Sequence, residues 1–275
     1  MVLDHIGCIF FNQYEYPVPN GVLRAIGRIA FILYAFCLAE GFEHTKSRKQ
    51  YAIRLMVAAI LVEPVFNLVF IKDISKYLSE QNVIFTFFIS FCTMYVVDYI
   101  RHSERIRLKV VLIVCTVIVG MLVAELIRSE YGCMGVGLVL TYYFLRGKKV
   151  VLFITSFLTY AFGVFVVNKI SHLIDLYGIY MDKVKRYTEL GEEILLKNTK
   201  FGWEQISSAF KVTSDDVSYF LRMCIAGPVI ALLIIMLYTG KKGKSIPRLA
   251  FYIFYPAHML ILWNIWMLMT YALPK

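Results

Sequence analysis

Residues 22–42 read VLRAIGRIAFILYAFCLAEGF, twenty-one residues in which Arg24, Arg28 and Glu40 are the only charged side chains. A helix needs about 20 apolar residues at 1.5 Å each to cross the hydrocarbon core of a bilayer, and this stretch supplies them. Working outward, runs of the same kind recur at 51–71, 83–100, 110–127, 132–145, 150–174, 219–239 and 249–273, with a half-length run at 1–12. They predict an all-α, polytopic transmembrane helical bundle of about eight full spans plus a truncated first helix. The run at 132–145 is short and carries GCMGVG, so it is expected to tilt or to sit tightly against a neighbour.

Composition excludes an ordinary soluble domain. Hydrophobic residues make up 59% of the chain and charged residues 17%, with a mean hydropathy of +0.66; soluble domains run at roughly 45–50% and about 25%. No cleavable signal peptide is expected, since a basic n-region and a small-residue cleavage site are both missing. The net charge of +10 does not point to nucleic acid, because the basic residues gather in loops between apolar runs. Cysteines 8, 37, 92, 115, 133 and 224 show no paired spacing and read as small buried hydrophobes, not as disulfides or a zinc framework.

Loop charge sets orientation. HTKSRKQ, RHSERIRLK, RGKK and GKKGKSIPR hold fourteen Lys and Arg, whereas the alternating NQYEYPVPNG, KDISKYLSEQN and RSEY hold three. The positive-inside rule places the first set in the cytoplasm, with the start of the chain cytoplasmic and its end external, in the cell membrane. The long external segment 175–217 differs in character. Ile179, Val184, Tyr187 and Ile194, then Trp203, Ile206 and Phe210, recur near helical spacing among charges, which predicts two amphipathic helices at the interface. A solvated connector and a lid over a substrate site both fit. The whole of 1–275 then reads as a single integral-membrane domain carrying that insertion.

Ionisable groups inside spans are costly, so chemistry is sought there. Arg24 and Arg28 share one face of the 22–42 run, and Glu40 and His44 share another at its far end. Glu63-Pro64 and Asn67 lie mid-span, where proline bends a helix beside a carboxylate. His258 follows Pro256 by two residues. Arg24, Asp98, Lys169 and Arg222 are near enough to span ends to snorkel, and interhelical pairing alone would account for Arg28, Glu63, His5 and His258. Two ligands at Glu40 and His44 make a poor metal site, and no metal is expected.

The residues then resemble a known family. DHIG at 4–7, LRAIGRIAFILYAFCLAEGFEHTKSRKQY at 23–51, EP at 63–64, QNVIFTF at 81–87, RSEYGCMGV at 128–136, YTGKKG at 238–243 and FYIFYPAHMLIL at 251–262 are similar, in order, to the TraX family of integral-membrane acetyltransferases. Its founding activity is N-terminal acetylation of conjugative pilin, and it looks like a branch of a wider membrane acyltransferase superfamily. Here the first helix matches the family only in its external half, Glu130 stands where the family usually has aspartate, and 175–217 is longer than the family pattern at that place.

The resemblance implies that Asp4-His5 is the catalytic pair and that acetyl-CoA is the acyl donor. An imidazole, with an ordinary pKa near 6.5, can take a proton from an attacking amine or hydroxyl. Adjacent helix residues point about 100° apart, so Asp4 is expected to pair with Arg24 or Arg28 and not with His5. Arg28 would stabilise the oxyanion or hold Asp4 and Glu63 in a network, and His258 is the second histidine that a covalent acyl relay would need. Lys241, Lys242 and Lys244, with His44 and Arg24, are the expected cofactor-binding residues. The acceptor is a peptide such as pilin, a glycan or a small secreted molecule. A transporter or channel with a buried Arg/Glu/His network, and an inactive relative of the family, are the competing readings.

Overall fold

The computed structural model describes residues 1–11, 15–71, 80–104, 107–192, 195, 200–214, 217–218, 221, 226–241 and 248–271. The described elements of eight or more residues are all helices: α1 (Val2–Phe10), α2 (Pro17–His44), α3 (Arg48–Phe66), α4 (Val83–His102), α5 (Lys109–Leu126), α6 (Gly132–Phe144), α7 (Lys149–Leu190), α8 (Trp203–Phe210), α9 (Ala226–Met236) and α10 (Arg248–Tyr271). Six are long and apolar enough to cross a membrane, and Gly132–Phe144 and Gly227–Met236 are shorter apolar helices. This is a multi-pass membrane protein, and each run read from hydropathy overlaps a described helix, the run at 219–239 over Ala226–Met236.

Local sequence sets the boundaries. Pro17 opens α2 in its first turn, where a missing N–H costs nothing. Ser47 and Asn82 cap α3 and α4 by accepting from the backbone N–H of Gln50 and Ile84. Pro64 sits inside α3, and the next turn, Asn67–Ile71, widens into a π-helix, as expected where a proline removes a hydrogen-bond donor from the ladder.

The chain forms two compact units, Met1–Tyr160 with Arg222–Lys275, and Ala161–Leu221. In the first unit, α6 is the most enclosed helix, with ten of its thirteen residues buried. At about 20 Å it is shorter than a bilayer core. The connection before it folds inward: Gln81 N donates to Arg128 O at 3.0 Å and Glu130 N to Gln81 O at 2.8 Å. Arg128 and Tyr131 take left-handed backbone conformations (φ 52° and 66°) to make this turn. By contrast α5 presents Val110, Val111, Val119 and Leu126 outward, as a helix facing lipid does.

The close approach of α1 and α9 to α2 depends on a glycine at each contact. α1 runs antiparallel along the first half of α2, and a Cβ on Gly27 would overlap the Asp4 side chain and stand 2.8 Å from its Cα. A Cβ on Gly227 would overlap the carbonyl oxygen of Ala25, so α9 lies directly on α2. Asn20 fastens the other end of α1, donating to Gly7 O (3.0 Å) and Phe11 O (2.8 Å).

The second unit corrects two expectations. The first amphipathic helix expected in 175–217 is not separate: α7 continues from the apolar run to Leu190 without a break. Its glycines are tolerated singly, and the first stop is Gly191 at φ +69°. The second, around Trp203, is α8, with Trp203 78% exposed. Lys169 does not snorkel: it is buried and donates from Nζ to the Lys211 carbonyl at 2.8 Å. In the first unit Asp98 is likewise held, by Arg48 and by Tyr143 Oη at 2.9 Å. Cys37 and Cys115 lie on exposed faces instead of being buried.

Candidate functional site

His5 on α1 and His258 on α10 are both buried, at 4% and 6% exposure, and meet across 253 residues of sequence. His258 Nε2 lies 2.8 Å from His5 Nδ1, and the ring planes are parallel to within 4°. The other nitrogen of His258, Nδ1, is 2.6 Å from the Phe254 carbonyl oxygen. A carbonyl only accepts, so His258 carries its proton on Nδ1 and offers the lone pair of Nε2. His5 Nδ1–H must then donate to it. The lone pair on His5 Nε2 is left over, aimed away from its partner and available to a proton. Phe70, from the π-helical turn, and Tyr255 place ring edges against His5, with centroids 5.0 and 6.0 Å away.

Around this pair the polar groups sort into two sets. Asp4 Oδ1 stands 4.0 Å from Arg24 Nε, an ion pair in which the nearest atoms are too far apart for a direct hydrogen bond. Arg24 also contacts Cys8 Sγ. Arg28 lies over the Tyr131 ring at 4.9 Å, and that ring stacks on Phe31. Glu130, in the connection between α5 and α6, faces the same small cavity as Asp4 and His5. Burial pushes its carboxyl up to about 7, with the charge of Asp4 adding and Arg28 and Arg24 opposing.

Glu63 belongs to the second set. Its Oε2 accepts from Asn82 Nδ2 at 2.6 Å and from Asn82 N at 3.2 Å, and it is 1% exposed. It therefore anchors the inward-folded connection, instead of the expected network with Asp4.

A cavity of about 490 Å³ opens beside the histidines. Tyr34, Val83, Phe87 and Met1 line both it and the small cavity holding Asp4 and His5. Tyr34, Cys37, Leu38 and Gly41 of α2 form its mostly apolar floor, and His44, Tyr51 and Arg54 stand at its far end. That volume lies within the usual range of small-molecule pockets, about 300–1,000 Å³. At the same end of the bundle Arg146 binds Glu40 at 2.9 Å and His44 Nε2 at 3.0 Å. A second, charged cavity of about 580 Å³ is lined there by Arg48, Asp98, Arg101 and Arg146.

Of the residues expected from sequence, His5, Asp4, Arg24 and His258 do converge. Arg24 and His44 do not share a subsite, since twenty residues of helix separate them by about 30 Å. Lys241 is exposed, and Lys242 and Lys244 lie outside the described residues, as does Arg222. Asn82, Arg48 and Tyr255 were not singled out, and Glu130 was noted only as standing in place of an aspartate. For Tyr255 the signal was present in FYPAH, three residues before His258 on the same helix.

A family model described as TraX protein matches residues 1–181, which carry α1 to most of α7. The chain is 26% identical over 272 residues to a protein of Dichelobacter nodosus described as probable fimbrial assembly protein FimC, serogroup H1. That alignment covers 95% of this chain and 89% of the relative. No solved structure matches the chain.

Proposed function

The chain belongs to the TraX family, and on that premise we propose that it is a cell-membrane acyltransferase that moves acetyl from acetyl-CoA to the amine of a pilus-related peptide. The observation that carries this reading is the tautomer-fixed histidine pair at the end of an apolar cavity. His5 Nε2 takes the proton of the attacking amine as its nitrogen bonds to the thioester carbonyl carbon. The tetrahedral adduct collapses, the C–S bond breaks, and the imidazolium returns the proton to the departing CoA thiolate. His258 keeps His5 in the productive tautomer, the role a carboxylate fills in other acid-base pairs. Direct transfer needs only one histidine to carry charge.

The 490 Å³ cavity suits the pantetheine arm, and the cations at its far end suit the nucleotide. In this reading Arg48, Arg101, Arg146 and the Lys241, Lys242 and Lys244 loop meet the phosphates, while Arg24 serves Asp4. The fimbrial description of the Dichelobacter relative supports pilin as the acceptor class. The intact mass of the major pilin tests it. Pilin from cells that express this protein should be heavier by one acetyl group than pilin from cells deleted for it. Equal masses would remove pilin as the acceptor.

The charged end faces the cytoplasm, where acetyl-CoA is made, and 1–275 works as one membrane domain with 175–217 outside. Orientation follows from fourteen Lys and Arg on one set of loops against three on the other. A membrane-impermeant thiol reagent applied to intact cells should label Gln205→Cys and spare Ser47→Cys. The reverse pattern would move the donor site to the wrong side.

A further inference from the structure

Resting on the acyl-transfer reading, we propose that the hydroxyl of Tyr255 is a catalytic residue: it donates the hydrogen bond that receives the oxyanion of the tetrahedral adduct. A proton acceptor alone leaves half of the reaction unprovided for. As the amine attacks, the carbonyl π electrons move onto oxygen, and in a dry site that charge needs a donor already in place. Asp4, Glu63 and Glu130 are acceptors when ionised. Each nitrogen of the histidine pair is committed, three to the chain that fixes the tautomer and His5 Nε2 to the incoming proton. Arg24 is drawn to Asp4, and Arg28 lies over Tyr131.

Tyr255 is placed differently. It is 5% exposed, and its hydroxyl is buried with no hydrogen-bond partner among the described residues. A buried phenol normally finds an acceptor, because an orphaned one forfeits the hydration it had in water. Its ring sits edge-on to both His5 (6.0 Å) and His258 (5.8 Å), and its side chain lines the cavity that leads to them. It shares α10 with His258, one turn away, so the helix that fixes the tautomer also carries the donor. The step needs no net proton transfer: the Oη–H bond persists, and the hydrogen bond to the carbonyl oxygen tightens as the adduct forms and relaxes as the thiolate leaves.

The test compares wild type with Tyr255→Phe, purified in detergent, using acetyl-CoA and a pilin-derived amine in the presence of lipid. Removing one oxyanion donor should lower kcat about 10²–10³-fold. The KM for acetyl-CoA should stay within about twofold of wild type, because the lost bond forms only in the transition state, and the melting temperature should hold or rise, since the variant loses an orphaned hydroxyl. A variant that keeps kcat within about twofold of wild type, raises KM alone, or melts earlier with unchanged activity per folded molecule would overturn the assignment and make Tyr255 a packing residue. Absence of transfer by the wild-type protein would overturn the acyl-transfer reading along with it, so the two failures are told apart by the wild-type lane.

Discussion

His5→Ala is expected to lower acetyl transfer by about 10²–10⁴-fold per folded molecule, the usual range for a lost acid-base group, while leaving the protein inserted in the membrane. Both halves of that result matter. Alanine removes the only ring nitrogen of the pair that is not held by another group, so the amine has nowhere to leave its proton. It also removes a polar group from a largely apolar setting of Phe70 and Tyr255, so the span itself loses little. His258→Ala should cost less, because His5 remains, though with its Nδ1–H orphaned and its tautomer free. If His5 only tied α1 to α10, the order would invert: folded yield would fall and the specific activity of surviving molecules would stay near normal. Folded yield by size-exclusion profile and activity per folded molecule separate the two.

The second large effect is expected at Gly27. Adding one methyl group, Gly27→Ala, sets a Cβ into the Asp4 side chain and 2.8 Å from its Cα, where neither flexible side chain nor solvent can give way. α1 must move off α2. Overpacking of this kind costs about 1–3 kcal/mol, against which the better helix propensity of alanine returns about 1 kcal/mol. The displacement also draws His5 out of the 2.8 Å bond to His258, so activity should fall more steeply than stability. Gly178 is the control: a Cβ there meets nothing within 4 Å, and Gly178→Ala should melt no earlier than wild type. Equal melting and activity for both variants would mean that α1 is held by something other than its contact along α2.

What could be read from the sequence follows from what hydropathy measures. It reports transfer out of water, and so it located the six helices long enough to span: the run at 83–100 became Val83–His102, and that at 110–127 became Lys109–Leu126. It does not distinguish the core of the bundle from lipid, because both are apolar. The enclosed Leu138 of α6 and the outward Leu126 of α5 look alike in sequence. For the same reason the partners of buried charges were only partly legible. Asp4 with Arg24 was within reach, because both lie on consecutive helices and helical geometry already turned Asp4 away from His5. Glu63 with Asn82 was not, because it depends on the connection at 80–82 folding inward, which only tertiary contacts with 128–130 enforce. The meeting of His5 and His258 depends on the rotation of two helices at opposite ends of the chain, and no local periodicity encodes it. In 175–217 the spacing signalled helix correctly, but nothing in it said where one helix stops, and the first stop falls at Gly191.

The central claim is that this chain moves an acetyl group from CoA by way of His5. It is tested most directly by giving inside-out membrane vesicles acetyl-CoA labelled in the acetyl carbon and following where the label goes. Vesicles containing the wild-type protein should transfer label to a membrane-associated product with release of free CoA, and vesicles with equal amounts of folded His5→Ala should do so at no more than about a hundredth of that rate. Equal transfer by the two proteins would contradict the role of His5, and no transfer above vesicles lacking the protein would contradict the acyltransferase itself.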